Sequence, residues 1–350
     1  MNAFLTAAGR VYTIGDALMG TLGTGKIDDH AEPTYVPMPS FIRQLEANDW
    51  GFNVLTAQGE VYNWGWCRYN MLGHGEDKSY LTPQKLPLPE TIIKIRSGIY
   101  STAARGESGA WYMWGDNTYG ALGTGDMEFV PGYARISPPP EQFTEISPSW
   151  SQFLGLTAEG TVYQWGTGRV KWAEEDWKSA VSFEDLSYKK IDLPEKIIKI
   201  HAAGHTDYAL AESGNLYIWG KGSLYHMGND DETEQYIPQV FLPHVQDFAV
   251  SAKGEDMLAL TDSGEVYYWG GRHRDIFGVY SPILIPYPEK IIAVFPGEGI
   301  FYVAGERHMY RVDSTWLEEG MVSDEFPREL NYKYQSEAGE LSHGAKVSPY

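Results

Sequence analysis

Gly59-Glu60-Val61-Tyr62-Asn63-Trp64-Gly65 decides the fold, because the chain writes this stretch repeatedly. It returns as Gly109 to Trp114-Gly115, Gly160 to Trp165-Gly166, Gly214 to Trp219-Gly220 and Gly264 to Trp269-Gly270, with a weaker copy at Gly9 to Ile14-Gly15. The closing glycines at 15, 65, 115, 166, 220 and 270 are spaced by 50, 50, 51, 54 and 50 residues. Such regularity marks an array of one supersecondary unit, so a chain of 350 residues need not divide into two unrelated domains.

Working outward from the quoted stretch, a small or polar residue precedes its first glycine in each copy: Ala8, Gln58, Ser108, Glu159, Ser213 and Ser263. The pair reads as a two-residue hairpin turn in which glycine supplies the positive φ. Upstream runs such as Leu154-Gly155-Leu156-Thr157 and Leu258-Ala259-Leu260-Thr261 alternate with period two, as does the strand carrying the tryptophan, so each copy contributes a β-hairpin. After the closing glycine comes a glycine-punctuated loop: Met19-Gly20-Thr21-Leu22-Gly23-Thr24-Gly25, Met71-Leu72-Gly73-His74-Gly75, or Tyr119-Gly120-Ala121-Leu122-Gly123-Thr124-Gly125. Its close glycines imply a compact turn and not a phosphate cradle. A proline then leads an apolar strand, as in Pro89-Glu90-Thr91-Ile92-Ile93-Lys94-Ile95, Pro194 to Ile200 and Pro288 to Val294. Pro39, Pro140 and Pro243 hold the same place in the other units.

These residues resemble the regulator-of-chromosome-condensation repeat, in which a Gly-x-Val-Tyr-x-Trp-Gly hairpin, a Tyr-Gly-x-Leu-Gly loop and a proline-led strand alternate. The resemblance covers about residues 3 to 313 and implies an all-β, seven-bladed β-propeller of four-stranded antiparallel blades. Phe301 to Gly305 followed by Met309 to Asp313 reads as a degraded seventh hairpin. The first unit lacks a proline-led strand before it, and the pattern of Asn331 to Gly339 resembles Ile197 to Gly204, so a strand at 331–340 is expected beside Asn2 to Thr6, burying two otherwise exposed edges. The expected layout is repeats over 1–313, an acidic linker over 314–330, the closing strand over 331–340 and a tail over 341–350.

The family implies two functions of different kinds. The first is a non-enzymatic interaction or scaffold propeller that docks into a larger assembly; the alternative is guanine-nucleotide exchange on a small GTPase, the activity of the founding member. Exchange there uses a protruding wedge inserted in one blade, and no insertion in this chain exceeds its neighbours by more than a few residues. Typical family repeats also carry a histidine where this chain has Gly51, Ser101, Gln152, Thr206 and Asp256, which removes residues that help line the ring's central face.

Charge and chemistry narrow the partners. With 47 acidic against 27 basic side chains the formal charge is −20, which repels nucleic acid and anionic lipid. Protein partners are therefore expected, with no nucleic acid and no membrane insertion, since no stretch is apolar enough to span a bilayer. Cys67 is the only cysteine, there is no glycosylation sequon, and an intracellular setting is expected. The nine histidines fall into no ligand spacing, the acidic run Asp230-Asp231-Glu232-Thr233-Glu234 lacks calcium-loop alternation, and no hydrolase or phosphate-loop motif occurs, so no metal, cofactor or catalytic residue is assigned.

The motif tryptophans Trp64, Trp114, Trp165, Trp219 and Trp269 hold a fixed place in each hairpin and are expected as structural core. Trp50, Trp66, Trp111, Trp150, Trp172, Trp177 and Trp316 fall outside that place, and any that are exposed are hot-spot candidates. Irregularities in an array usually map to function-bearing loops. The longest runs from Thr167 to Leu193 and lacks the Leu-Gly turn, which makes Val170, Lys171, Trp172, Trp177, Lys178 and Phe183 the expected contact surface.

Overall fold

The computed structural model describes residues 2–136, 142–150, 152–166, 186–204, 206–220, 235–251, 256–270, 279–296, 300–313, 328–329 and 347–348. They form seven four-stranded antiparallel sheets, the blades of an all-β, seven-bladed propeller. By contact the chain divides into two compact units, Met1–Thr157, Tyr163–Lys189 and Ser336–Tyr350 against Ala158–Val162 and Lys190–Gln335.

The first unit carries blades 1 to 3 and most of blade 4. Blade 1 holds β1 (Asn2–Leu5), β2 (Val11–Gly15) and β3 (His30–Val36); blade 2 holds β4 (Ile42–Asn48), β5 (Gly51–Thr56), β6 (Val61–Gly65) and β7 (Tyr80–Leu86). Blade 3 is β8 (Ile92–Ser97), β9 (Ser101–Gly106), β10 (Trp111–Gly115) and β11 (Ala134–Arg135); blade 4 is β12 (Phe143–Pro148), β13 (Gln152–Thr157), β14 (Val162–Gly166) and β15 (Lys189–Lys190). The second unit carries blades 5 to 7: β16 (Ile197–Ala203) to β19 (Gln235–Leu242), β20 (Val245–Val250) to β23 (Val279–Ile285), and β24 (Ile291–Phe295) to β27 (Arg328–Glu329).

The free edge of β1 pairs with β28 (Val347–Ser348), in the register Ala3 to Ser348 and Phe4 to Val347. This short pairing falls within the expected tail; the expected closing strand at 331–340 lies outside the described residues. Arg328–Glu329, inside the expected linker, pairs with the second strand of the seventh hairpin.

The proline-led strands do not alternate as simple strands do, and their pairing explains why. In six blades the ladder slips by one residue near the start of this strand, as between Ile92 and Lys94 or Ile197 and Lys199. Such a β-bulge places residues three apart on one face. Ile92 and Ile95 are therefore both fully buried, as are Phe143 and Ile146, while the skipped Ile93 is 39% exposed. The glutamate after the proline ties down its own blade's turn: Glu90 accepts hydrogen bonds from Ser108 N (2.8 Å), Ser108 Oγ (2.7 Å) and Tyr112 Oη (2.6 Å). Glu289 accepts from Arg307 N and Tyr310 Oη at 2.8 Å each.

Neighbouring blades in the first unit are joined by tryptophan. Trp64, Trp114 and Trp165 are fully buried, and so are Trp219 and Trp269 in the second unit. Trp64 Nε1 donates to the Thr21 carbonyl (3.1 Å) in the loop of blade 1, and Trp165 Nε1 donates to the Ala121 carbonyl (2.9 Å) in the loop of blade 3. The loop lies flat on the next blade's indole because its leucine is followed by glycine. Gly73 has φ +72°, and a Cβ there would sit 2.8 Å from the Trp114 ring. Charged side chains join the first strands as well, with Arg96 between Glu46 (3.2 Å) and Glu145 (2.9 Å), and Lys94 on Glu145 (2.6 Å).

Candidate protein-binding site

The residue before β5 is Trp50 and the residue after β6 is Trp66, and the hairpin closes so tightly between them that Trp66 N donates to Trp50 O at 2.9 Å. A side chain at Gly65 would collide with that carbonyl, which is why the motif ends in glycine here. The two indoles meet edge to face at 4.8 Å. Blade 3 repeats the arrangement with Asp116 N on Tyr100 O at 3.0 Å.

Loop residues complete the walls. Tyr69 of the blade 2 loop packs on Tyr100 of blade 3 (6.4 Å between centroids), and Tyr119 of the blade 3 loop packs on Trp150 of blade 4 (5.6 Å), both edge to face. Met19 holds the corresponding place in the blade 1 loop. Met19 and Tyr69 both have φ +55°, a left-handed conformation that costs a non-glycine residue of the order of 1–2 kcal/mol. It leaves their side chains 49% and 38% exposed. Retained strain of this kind accompanies sites where side-chain direction matters.

Together these residues line a hollow of about 500 Å3 shared by Leu18, Met19, Asp49, Trp50, Trp66, Arg68, Tyr69, Met71, Tyr100, Asp116, Thr118, Tyr119 and Trp150. Asp116 is itself held in place, its Oδ1 accepting from Thr118 N (2.8 Å) and Thr118 Oγ1 (2.5 Å). The Arg68 guanidinium lies 4.7 Å from the centroid of Tyr69 and 6.0 Å from that of Trp66. Burial raises the Tyr100 hydroxyl above its usual range, the charge of Asp49 raises it further and Arg68 opposes the rise. Tyr119 is raised by burial and then by Asp116. The hollow therefore joins aromatic faces to negative potential, a combination suited to holding another molecule's side chains and lacking any activated nucleophile among its lining residues.

Of the residues singled out by sequence, Trp50, Trp66 and Trp150 are half-buried in this hollow. Trp111 is instead core, donating from Nε1 to the Phe143 carbonyl at 3.1 Å. Val170, Lys171, Trp172, Trp177, Lys178, Phe183 and Trp316 lie outside the described residues. Sequence reasoning missed Tyr69, Tyr100 and Tyr119. Their signal is a second period: Met19 with Trp50, Tyr69 with Tyr100 and Tyr119 with Trp150 are each 31 residues apart, and each pair follows the last by 50. The place before the second strand reads Trp50 and Tyr100 in blades 2 and 3, Ser151 in blade 4, where Trp150 stands one residue further out, and His205 and Glu255 in the fifth and sixth copies, so the aromatic residues at this end belong to blades 2 to 4.

The Regulator of chromosome condensation (RCC1) repeat matches residues 58–105, which run from the turn between β5 and β6 of blade 2 into β9. The chain carries an RCC1 repeat at residues 58–105 within its seven-bladed fold. This RCC1-repeat chain is 29% identical over 138 residues to the E3 ubiquitin-protein ligase HERC2 of Mus musculus, which is 38% of the chain and 3% of that protein. It is 26% identical over 180 residues to the RCC1-like G exchanging factor-like protein of Mus musculus, 47% of the chain and 37% of that protein. The aligned regions are thus well under two thirds of these relatives' own lengths. Prp20p from Saccharomyces cerevisiae, whose structure was reported with its binding properties to Gsp1p and histones, shares the fold at a TM-score of 0.69 and 21% identity, covering 85% of this chain and 78% of that one.

Proposed function

We propose that this RCC1-repeat chain is a non-enzymatic interaction module that docks onto a protein partner through the aromatic hollow of blades 1 to 4. The carrying observation is the pairing of Trp50 with Trp66, Tyr69 with Tyr100 and Tyr119 with Trp150 around one solvent-reached space. Tryptophan and tyrosine dominate binding energy where they cluster in partly desolvated hollows, because a partner buries large rigid faces there at little entropic cost. The acidic surface disfavours nucleic acid and supports protein partners. The insertion bearing Val170, Lys171, Trp172, Trp177, Lys178 and Phe183 is proposed as a second contact, on sequence alone, and the proposed setting is intracellular.

The test is affinity purification of the tagged full chain from its native source beside the Trp66→Ala and Tyr100→Ala variants. A partner retained by the parent and lost by variants of unchanged melting temperature supports docking at the hollow. Undiminished retention by both variants overturns it.

Guanine-nucleotide exchange on a small GTPase is the second reading, favoured by the likeness to a G exchanging factor-like protein over 47% of the chain. Stimulated nucleotide release across a GTPase panel, abolished when residues 167–193 are replaced by a regular repeat loop, would make exchange the function and displace the non-enzymatic reading.

A further inference from the structure

Resting on the reading of the hollow as a protein-docking site, we propose that its occupant is an arginine side chain of the partner, held between the aromatic walls and the carboxylates of Asp49 and Asp116. The lining offers two kinds of group, and an occupant has to satisfy both. An aliphatic side chain would cover the rings of Trp50, Trp66 and Tyr100 but offer no hydrogen-bond donor or positive charge to the carboxylates of Asp49 and Asp116 on the same lining. A trimethylated ammonium also suits the rings, yet it has no N–H to give a carboxylate. A lysine ammonium has N–H groups but is compact and strongly hydrated, so it leaves water reluctantly. A guanidinium is flat, weakly hydrated, stacks on aromatic faces and donates two parallel N–H bonds to a carboxylate.

The molecule already illustrates the preference. Arg68, an exposed residue at the rim, lays its own guanidinium over Tyr69 at 4.7 Å and towards Trp66 at 6.0 Å. The lining thus already accepts this group against its rings, with Asp49 and Asp116 on the same lining. The rise of the Tyr100 hydroxyl with Asp49 and Asp116 among its causes agrees with a negative interior. A net charge of −20 attracts a cationic segment from a distance. At about 500 Å3 the hollow lies within the usual range for ligand sites, with room for one guanidinium and part of the peptide that bears it.

The experiment titrates the full chain with four blocked tripeptides, glycine on either side of arginine, citrulline, norleucine or trimethyl-lysine, and follows binding by peptide-observed saturation-transfer NMR. Citrulline keeps arginine's shape without its charge. The arginine peptide should bind about ten-fold tighter than the citrulline and norleucine peptides. The double variant Asp49→Asn with Asp116→Asn should remove most of that preference. Arg68→Ala, an exposed change, should tighten the arginine peptide by roughly two- to five-fold, because it removes a like charge and uncovers the Tyr69 face. Equal binding of arginine and citrulline, tighter binding of trimethyl-lysine, no binding of any peptide, or weaker arginine binding by Arg68→Ala would each overturn the assignment. If that happens while Trp66→Ala still loses the native partner, only the arginine occupant falls; if Trp66→Ala and Tyr100→Ala keep the partner, the docking role itself falls.

Discussion

Two columns of aromatic residues run through blades 2 to 4 at the same spacing of about fifty residues, and they end in opposite environments. Trp64, Trp114 and Trp165 are fully buried, while Trp50, Tyr100 and Trp150 are only half-buried and line an open hollow. Residue type does not separate them, since tryptophan occurs in both. The difference lies in what the preceding blade's loop sets against each ring. Beside the first column it sets Gly23, Gly73 and Gly123, whose missing Cβ lets backbone close over the indole. Beside the second it sets Met19, Tyr69 and Tyr119, side chains that stand off the backbone and extend the wall. Repetition thus fixes where rings recur, and the loop residue decides whether a ring becomes core or surface.

The largest effect should come from truncating one ring of each column. Trp165 stacks on Phe143 at 5.6 Å with an interplanar angle of 9° and packs on Phe153 and Tyr188. Trp165→Ala should therefore cost about 3–5 kcal/mol of stability, the range for large aromatic truncations in cores. Trp50→Ala removes a ring with one face open and should cost no more than about 2 kcal/mol. Urea denaturation of the two variants measures both, and equal costs would break the distinction between the columns.

Next in size is the covering glycine. Gly73→Ala sets a methyl group 2.8 Å from the Trp114 ring and forces alanine to φ +72°. Both effects destabilise, together by about 2 kcal/mol or more, because the indole is walled in and has no room to retreat. A melting curve unchanged from the parent would show that the loop does not seal the ring.

A finer distinction operates inside the buried column. Trp165 Nε1 hydrogen-bonds the Ala121 carbonyl, whereas the buried Trp114 Nε1 has no hydrogen-bond partner among the described residues. Trp165→Phe leaves a buried carbonyl without its donor, while Trp114→Phe removes a donor that had no acceptor. The first should cost about 1–2 kcal/mol more than the second, read from the difference in denaturation free energies. The reverse order would mean that indole hydrogen bonds do not contribute to joining the blades.

Much of the buried framework was legible in sequence, because glycine turns, prolines and tryptophans act through local geometry that every copy must repeat. The six hairpins and the core tryptophans stand where the repeated stretch places them. The bulge that buries both Ile92 and Ile95 was written in the spacing of these isoleucines, which breaks alternation, but its cause is a pairing slip that only the neighbouring strand reveals. Val347–Ser348 was illegible because two residues held by backbone pairing to Ala3 and Phe4 carry no side-chain signature. In the hollow, Trp50, Trp66 and Trp150 were visible as misfits of the repeat. Tyr69, Tyr100 and Tyr119 were not, since tyrosines in a chain with 24 of them stand out only once the 31-residue pairing between adjacent blades is seen.

The smallest effect on stability should come from the hollow's own strained residue, and it separates framework from site most sharply. Tyr69 holds φ +55° although tyrosine gains nothing from that conformation, and its ring stays 38% exposed. Asparagine tolerates left-handed backbone far better than tyrosine does. Tyr69→Asn should relieve strain while removing only one edge-to-face contact with Tyr100 and the perch of Arg68. These opposing contributions are each about 1 kcal/mol, so stability should stay within about 1 kcal/mol of the parent or rise slightly. Binding should behave differently, because the lost ring is part of the wall, and partner retention on the tagged chain should fall. A variant that loses both stability and partner would make Tyr69 a framework residue, and the loop's side chain would then be no marker of where the core ends and the binding surface begins.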